Sequence, residues 1–421
     1  MTRPLHIRAR IVWPLASPPV EDGAVLIAGS EVVAVGRADE VRGPAGAMRV
    51  DLGDVMVLPG LVNAHCHLDY THMAGHVAPL SSFTDWIKSI TTLKGTWSPE
   101  DYRASWLAGA AMLVRRGVTT VADIEAVPDL LPAVWHSTPL RVVSFLEMTG
   151  VKSRRDPEQI LDEAVAKAGS LTIGRCRVGL SPHAPYSTVP ALLRGCAAAA
   201  GARGWLLSTH VAESAEEFEM FQHRRGAMFD WLARNGRDPA DCGGVSPVQH
   251  LACHGLLGPN LLAVHANYLA AGDAELLAQR GVPVVHCPRS HAYFGHRPFP
   301  WQSLERTGVN VCLGTDSLVT VLRRQEQVLD LFAEMREFAT HAPGVAPEQV
   351  VRMATLNGAR ALGLAGKAGV LAAGAWADLI AVPFSGGARD VAEAVVQHRG
   401  EVVASLIAGD WVVRPPGIEP A

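Results

Sequence analysis

One short stretch of the chain has the residue types and spacing of a metal site, namely His65-Cys66-His67. On a β-strand, residues two apart project from the same face, so the two imidazoles would point one way and the cysteine the other. Imidazole nitrogens bind zinc and ferrous iron readily, whereas two histidines with no further ligand can equally be structural. The spacing therefore predicts that His65 and His67 are metal ligands, provided that other ligands join them.

Five further apolar runs end in a histidine or an acidic residue. These residues are His183, His210, His265, His286 and Asp316. Active-site residues of a (β/α)8 barrel lie at the C-terminal ends of several strands, so residues in this position converge. Together with His65 and His67, His210 and Asp316 would give three nitrogen ligands and one oxygen ligand. That set suits one divalent metal ion, zinc in the first place and iron as the alternative.

Several residues around this ligand set could move protons or hold a substrate. Glu213, three residues past a predicted ligand, is expected to be a general acid or base that does not bind the metal. Asp316 could also accept a hydrogen bond from the attacking water, and His265 could orient that water or stabilise developing charge. His183 lies between two prolines and is expected to contact the substrate. Residues 171–188 contain no lysine that could bridge a second ion, so a single metal is predicted.

Short β-like runs alternate with helical stretches through the middle of the chain, as a parallel α/β fold requires. Eight such runs suit a closed (β/α)8 TIM barrel. An open doubly wound sheet is the alternative, but no glycine-rich phosphate loop follows the first run. The β-rich ends predict a small β-sandwich domain assembled from residues 1–57 and 369–421 around a barrel over residues 58–368. The candidate barrel strands lie near 58–66, 118–123, 140–147, 175–182, 204–210, 261–265, 282–286 and 309–315. Helices are predicted over 99–116, 157–168, 189–200 and 215–234, and a long loop over 236–259.

The composition favours a soluble enzyme and argues against some partners. The chain has 421 residues, 48% of them hydrophobic and 19% charged, which allows one large domain with a smaller one. A net charge of −4 and the lack of a basic run predict no nucleic-acid partner. We find no signal-peptide pattern and no apolar run of about eighteen residues for a membrane span, so a cytoplasmic location is expected. The seven cysteines form no CxxC pair, which predicts reduced thiols.

The segment around the first two ligands resembles a motif of a known family. Residues 57–67, Val-Leu-Pro-Gly-Leu-Val-Asn-Ala-His-Cys-His, are similar to the first-strand motif of the amidohydrolase superfamily, in its mononuclear metal-dependent deaminase branch. The later motifs follow in order and are Ser181-Pro182-His183-Ala184-Pro185, His210-Val211-Ala212-Glu213, Val264-His265, His286-Cys287-Pro288 and Gly314-Thr315-Asp316-Ser317. The resemblance spans essentially the whole chain. It implies the same barrel, the same ligands and proton-moving residues, and a homodimer as a family-level expectation.

The same resemblance implies a reaction. The branch includes deaminases of cytosine, adenosine and S-adenosylhomocysteine, so we expect hydrolytic removal of an exocyclic amine from a purine-like or nucleoside-like heterocycle. Residues 63–70 and 83–86 are similar to the aminodeoxyfutalosine deaminase group, although that group usually has glutamate where this chain has Asp69. A cyclic amidase or a chlorohydrolase of the same superfamily is the alternative. A non-catalytic ligand-binding protein on this fold is an alternative of another class. The complete set of metal ligands, acid–base carboxylate and water-orienting histidine argues against it.

The segment after the seventh predicted strand departs from the branch. This chain has Pro288-Arg289-Ser290-His291 where much of the branch reads Pro-x-Ser-Asn. Arg289 and His291 add unusual polarity there, and we expect them to contact the substrate and to set its identity. A solvated loop is the alternative.

Overall fold

The computed structural model describes residues 3–78, 80, 82–151, 155–171, 174–415 and 417. Within this part of the chain, the strands form two sheets of eight strands each. In chain order they are β1 (Leu5–Val12), β2 (Val20–Ala28), β3 (Glu31–Arg37), β4 (Met48–Asp51), β5 (Val55–Pro59), β6 (Leu61–Cys66), β7 (Val118–Glu125), β8 (Arg141–Met148), β9 (Arg177–Pro182), β10 (Leu207–Val211), β11 (Leu261–His265), β12 (Val284–His286), β13 (Val311–Leu313), β14 (Leu379–Pro383), β15 (Ala404–Ile407) and β16 (Asp410–Val413).

Helices separate most of the strands in the middle of the chain. They are α1 (Phe83–Lys94), α2 (Pro99–Arg115), α3 (Leu131–His136), α4 (Pro157–Ser170), α5 (Pro190–Arg203), α6 (Ala215–His223), α7 (Ala227–Arg234), α8 (Pro247–Cys253), α9 (Asp273–Gln279), α10 (Pro288–Phe294), α11 (Trp301–Thr307), α12 (Leu331–His341), α13 (Pro347–Met353), α14 (Leu356–Ala361) and α15 (Val391–Gln397). Among the helices described here, none has the length and apolar character needed to cross a bilayer.

Strands β6 to β13 form the barrel and confirm the predicted fold class. Each strand pairs in parallel with the next one along the chain. All eight predicted strands are present. Their residues are largely buried on both faces, as expected for parallel strands covered by helices outside and packed side chains inside. Because the strands run the same way, all their C-terminal ends open on one face of the barrel.

The first and last barrel strands are joined by side-chain and backbone contacts near the predicted ligands. The Asn63 side chain donates to Thr315 Oγ1 at 2.8 Å and accepts from the Thr315 N–H at 3.0 Å. The Thr315 and Asp316 N–H groups both donate to the His65 carbonyl, at 3.0 and 3.1 Å. A Cβ added at Gly314 would lie 2.8 Å from His65 Cβ, so only glycine permits this approach. The barrel therefore closes at the position of two predicted ligands.

The remaining strands come from both chain termini and form one mixed sheet, in the order β16-β15-β14-β5-β1-β2-β3. Strand β1 is central: it pairs antiparallel with β2, while its first residues pair in parallel with β4 and its last two with β5. The two ends of the chain meet where β5 pairs antiparallel with β14. In β1, Leu5, Ile7, Ala9 and Ile11 are buried, the period of two that a half-exposed strand requires. The predicted joint contribution of both termini is thus confirmed, while the exact domain boundaries stay a prediction.

The helix predicted over 215–234 is broken into α6 and α7. Arg224 follows the end of α6 and has a φ of 55°, and Gly226 has a φ of 101°. Both values lie in the left-handed region, which ends a right-handed helix.

The long loop predicted over 236–259 contains α8, so that prediction is wrong in part. The Ser246 hydroxyl accepts from the Gln249 N–H at 3.1 Å, and the Gln249 side chain accepts from the Ser246 N–H at 3.2 Å. Pro247 occupies the first helical position. Ser-Pro-x-Gln is therefore a capping box with an N-terminal proline, a helix start that the glycine-rich surroundings obscured.

Candidate metal centre and active site

The four predicted metal ligands converge at the C-terminal face of the barrel. Asp316 Oδ1 lies 3.6 Å from His65 Nε2 and 3.7 Å from His67 Nε2. His67 Nε2 lies 3.3 Å from His210 Nε2. All four side chains are buried. The structure therefore brings together residues from β6, from β10 and from the segment that follows β13.

This donor set fits a divalent metal ion. Tetrahedral ligands about 2.0–2.1 Å from zinc lie roughly 3.3 Å apart, close to the separations between these nitrogen and oxygen atoms. Both ring nitrogens of His65, and Nδ1 of His67, are buried without a hydrogen-bond partner. Of these atoms, His65 Nε2 faces Asp316, and because buried polar atoms are normally hydrogen-bonded, its lack of a partner fits a nitrogen that binds a metal ion.

The backbone holds His210 in the orientation that a metal ligand needs. His210 Nδ1 lies 2.8 Å from the carbonyl oxygen of His183. A proton on Nδ1 that is donated to this carbonyl leaves the lone pair of Nε2 free to face the other ligands.

Glu213 and His265 lie beside the four ligands. His265 Nε2 is 3.5 Å from Glu213 Oε1, and the two residues form a compact group with Asp316. Burial raises the pKa of the Glu213 carboxyl well above its usual range, and the carboxylates of Asp316 and Glu217 raise it further. Burial also lowers the pKa of His265 to about 3. The residue predicted to move protons is thus a buried carboxyl group next to a neutral imidazole.

Local backbone contacts place the Glu213 side chain. Ala212, just before it, has a φ of 52°, which turns the chain sharply at the end of β10. The Glu213 N–H donates to Glu217 Oε2 at 2.8 Å, and its carbonyl accepts from Asn267 Nδ2 at 3.0 Å. These contacts fix the backbone on both sides of the carboxylate, so the side chain projects from a rigid turn.

Asp316 is fixed by a residue that the sequence did not single out as functional. Ser290 Oγ donates to Asp316 Oδ2 at 2.6 Å, which leaves Oδ1 facing the histidines. Burial alone would raise the pKa of the Asp316 carboxyl, but His65, His265 and His67 outweigh it and hold that pKa well below its usual range. The carboxylate is therefore ionised, as a metal ligand must be.

A cavity of about 250 Å³ opens onto the predicted ligands. His183 is part of its wall, with its ring centroid 4.8 Å from that of His210, and Ser187 Oγ lies 2.6 Å from its Nδ1. Four aromatic residues line the same cavity and suit a flat ligand. They are Tyr70, Trp86, Tyr186 and Trp231.

Arg289 does not reach this cavity, contrary to prediction. Its side chain is buried, its Nε donates to Glu334 Oε1 at 2.8 Å, and its Nη2 donates to the Val328 carbonyl at 2.7 Å. Arg289 thus anchors α10 to α12. Neighbouring residues of a helix point about 100° apart, so the polarity of this segment could not all face the substrate.

His291, also predicted to contact the substrate, lies behind the cavity wall. Its Nδ1 is 3.1 Å from Asn267 Oδ1, and Asn267 in turn donates to the Glu213 carbonyl. His286 likewise lies outside the cavity, stacked on Phe299 with ring centroids 3.8 Å apart. Neither His286 nor His291 therefore lines the cavity.

Comparison with known proteins agrees with this arrangement. Residues 56–411 match the family described as the amidohydrolase family. The chain belongs to the amidohydrolase family. It is 35% identical over 380 residues to the 5-methylthioadenosine/S-adenosylhomocysteine deaminase of Syntrophobacter fumaroxidans, an alignment that covers 86% of this chain and 80% of the relative.

Solved structures share the whole fold of this amidohydrolase. An adenosine deaminase from Xanthomonas campestris, crystallised with bound zinc, is 26% identical, with a TM-score of 0.83 over 97% of this chain and 92% of that one. The aminofutalosine deaminase of Helicobacter pylori has a TM-score of 0.85 over 97% of this chain and 100% of its own, at 21% identity. The second likeness concerns the fold alone.

Proposed function

We propose that this amidohydrolase is a zinc-dependent deaminase that replaces the exocyclic amine of a purine-type heterocycle with oxygen, releasing ammonia. The observation that carries the proposal is that four candidate metal ligands lie together with a buried carboxyl group and a buried imidazole beside one aromatic cavity. Aminodeoxyfutalosine is among the candidate substrates. The homodimer and the cytoplasmic location remain predictions from sequence.

In this proposal His65, His67, His210 and Asp316 hold a single ion. Three nitrogens and one carboxylate oxygen suit zinc, and the relative that was crystallised with zinc supports that choice over iron. A divalent ion bound there would lower the pKa of a water molecule toward neutrality and so supply a nucleophile at neutral pH.

The protein's own groups would carry the protons. Glu213 takes one proton from the attacking water and gives it to the ring nitrogen beside the amine-bearing carbon. The second proton of that water, carried by the newly added hydroxyl group, passes to the departing amine as the carbonyl forms and the carbon–nitrogen bond breaks. His265, 3.5 Å from that carboxyl, hydrogen-bonds the developing oxygen and keeps Glu213 directed at it. One water is consumed, one carbon–nitrogen bond breaks, and one ammonia leaves.

Ammonia release over a panel of substrates tests the proposal. The zinc-loaded protein should release ammonia from at least one of adenosine, S-adenosylhomocysteine, aminodeoxyfutalosine, adenine, guanine and cytosine, and metal analysis should find one ion per chain. Release from none of them would reject the deaminase, and two ions per chain would reject the single-metal site.

Glu213→Gln separates proton transfer from metal binding. General acid–base catalysis contributes about 10²–10⁴-fold, so the variant should lose that much of kcat while keeping its zinc. Glu219→Gln is the matched control, because Glu219 lies on α6 and pairs with Arg225 at the surface. Full activity of Glu213→Gln would remove this residue from the mechanism.

A further inference from the structure

An ion pair that the sequence did not single out lies in the wall of the substrate cavity. Lys94, the last residue of α1, and Glu147, near the end of β8, both line the cavity. Lys94 Nζ is 3.4 Å from Glu147 Oε2, and the side chains are 26% and 9% exposed. A charged pair in this wall can contact the part of the substrate that lies beside it.

Glu147 retains hydrogen-bonding capacity toward the cavity. A carboxylate can accept about four hydrogen bonds. Among the described residues, the nearest titratable side chain besides Lys94 is His183, whose Nε2 lies 3.8 Å from Oε1, beyond hydrogen-bonding distance. Burial would raise the pKa of Glu147, but Lys94, His183 and His67 outweigh it and lower that pKa to about 2. Lys94 is the only described residue that donates to Glu147, so this ionised carboxylate can accept further hydrogen bonds from a substrate in the cavity.

One layer of rings separates this pair from the metal ligands. The Tyr70 ring stacks on His67 with centroids 5.0 Å apart, and Lys94 Nζ lies 4.7 Å from the centroid of that same tyrosine ring. On the other side, His183 stands between Glu147 and His210. A heterocycle whose amine-bearing carbon is at the ligands would thus span this layer, and its substituent would reach Lys94 and Glu147.

We propose that Lys94 and Glu147 bind the hydroxyl groups of a neutral, ribose-type substituent and so select nucleosides over free bases. A vicinal diol can donate to Glu147 and accept from Lys94, using the donor and the acceptor side by side. The two charges offset each other, so an anionic substituent gains little there. This inference rests on the proposed deaminase activity. It adds that the enzyme recognises the ribose-type substituent of its substrate.

The first test uses the wild-type zinc enzyme with adenosine, 2′,3′-dideoxyadenosine and adenine. A hydrogen bond to a charged group corresponds to about a ten- to hundredfold change in kcat/KM. Adenosine should exceed both other substrates by at least about tenfold. Equal kcat/KM for adenosine and its dideoxy analogue, or turnover of free bases alone, would overturn the inference while leaving the deaminase intact. No ammonia from any member of the six-substrate panel described above would instead reject the proposed function.

The second test combines these substrates with variants of the pair. Glu147→Gln and Lys94→Met should each lower kcat/KM for adenosine about ten- to hundredfold, and change that for 2′,3′-dideoxyadenosine by less than about threefold. Asp129→Asn and Lys167→Met are the matched controls, since this pair lies 2.5 Å apart with Asp129 exposed on the surface. If a variant retains its zinc but its kcat/KM falls equally for adenosine and for 2′,3′-dideoxyadenosine, the residue has a structural role and the proposal is overturned. If Glu147→Gln fails to fold, Lys94→Met and the wild-type series decide it.

Discussion

Two buried polar regions at opposite ends of the barrel differ in character. At the start of β8, Arg141 donates to both oxygens of Asp378, at 2.6 and 3.1 Å, and the Ala408 N–H adds a third bond to that carboxylate. The Trp376 ring covers the guanidinium at 3.8 Å. At the other end of the barrel, His65 and His67 are equally buried, yet three of their ring nitrogens have no hydrogen-bond partner.

This difference separates groups that hold the fold from groups kept for a ligand. The Arg141–Asp378 pair ties the barrel to the terminal sheet with its charges bonded inside the protein. The Nε2 atoms of the two histidines instead face Asp316, without a hydrogen bond that would occupy the His65 nitrogen. The C-terminal face of a (β/α)8 barrel carries function and the opposite face carries stability, and these two regions follow that division.

The backbone shows the same contrast. Ala212, His265, Ala266 and Asp316 all have positive φ values between 49° and 75°, and all lie at or just after the C-terminal ends of barrel strands. Non-glycine residues in this region cost on the order of 1–3 kcal/mol each. Such conformations persist because they aim Glu213, His265 and Asp316 at one point.

The largest effect on activity should follow loss of a ligand. His210→Ala should bind little zinc and lose more than the roughly 100-fold that removal of a group behind a metal ligand can cause. Its metal-free form should lose about 1–3 kcal/mol of unfolding free energy relative to the metal-free wild type, because the variant removes the hydrogen bond from Nδ1 to the His183 carbonyl but breaks no ion pair. Metal analysis measures the bound zinc, and urea unfolding measures the stability of the metal-free protein. A large loss of stability in the metal-free variant would contradict the proposal that the histidines serve a ligand and the Arg141–Asp378 pair serves stability.

The largest effect on stability should follow loss of the buried ion pair. Arg141→Met leaves the Asp378 carboxylate buried without its cation, which costs about 3–5 kcal/mol of unfolding free energy. Arg8→Met is the control in the terminal sheet, because its pair with Asp22 is about half exposed and its loss should change the unfolding free energy little. Zinc content and kcat per folded molecule should change little in Arg141→Met. Loss of zinc from the folded variant would contradict the division.

A smaller effect should follow removal of the group that orients Asp316. Ser290→Ala removes the shorter of two side-chain hydrogen bonds to Asp316 Oδ2, the other coming from Thr320 Oγ1 at 3.3 Å. The variant should weaken zinc affinity about 10–100-fold, while the enzyme at saturating zinc keeps most of its activity. Titration of the metal-free protein with zinc measures the affinity. Ser317→Ala is the comparison, because the Ser317 hydroxyl accepts from the Val319 N–H and has no bond to the Asp316 carboxylate. Equal affinities in the two variants would show that Ser290 does not tune the metal site.

The parts of the site that were predictable from sequence depend on local periodicity. The spacing of His65 and His67 and the placing of His210, His265 and Asp316 at the ends of apolar runs require only that each run be a strand. Parallel strands then bring all their C-terminal ends to one face. The helix start at Ser246 was local as well, but its capping box was overlooked among glycines and prolines.

Other features depended on how distant elements pack. Arg289 and His291 lie on a helix whose two sides meet α12 and Asn267, so neither faces the cavity. Lys94 and Glu147 meet only because α1 is placed over the end of β8, 53 residues away in the chain. The residue types proposed to bind the metal were therefore determined by the sequence itself, since strand period and strand end are local properties. Which side chains face the substrate was decided by tertiary packing, because the orientation of a helix is set by the elements it packs against.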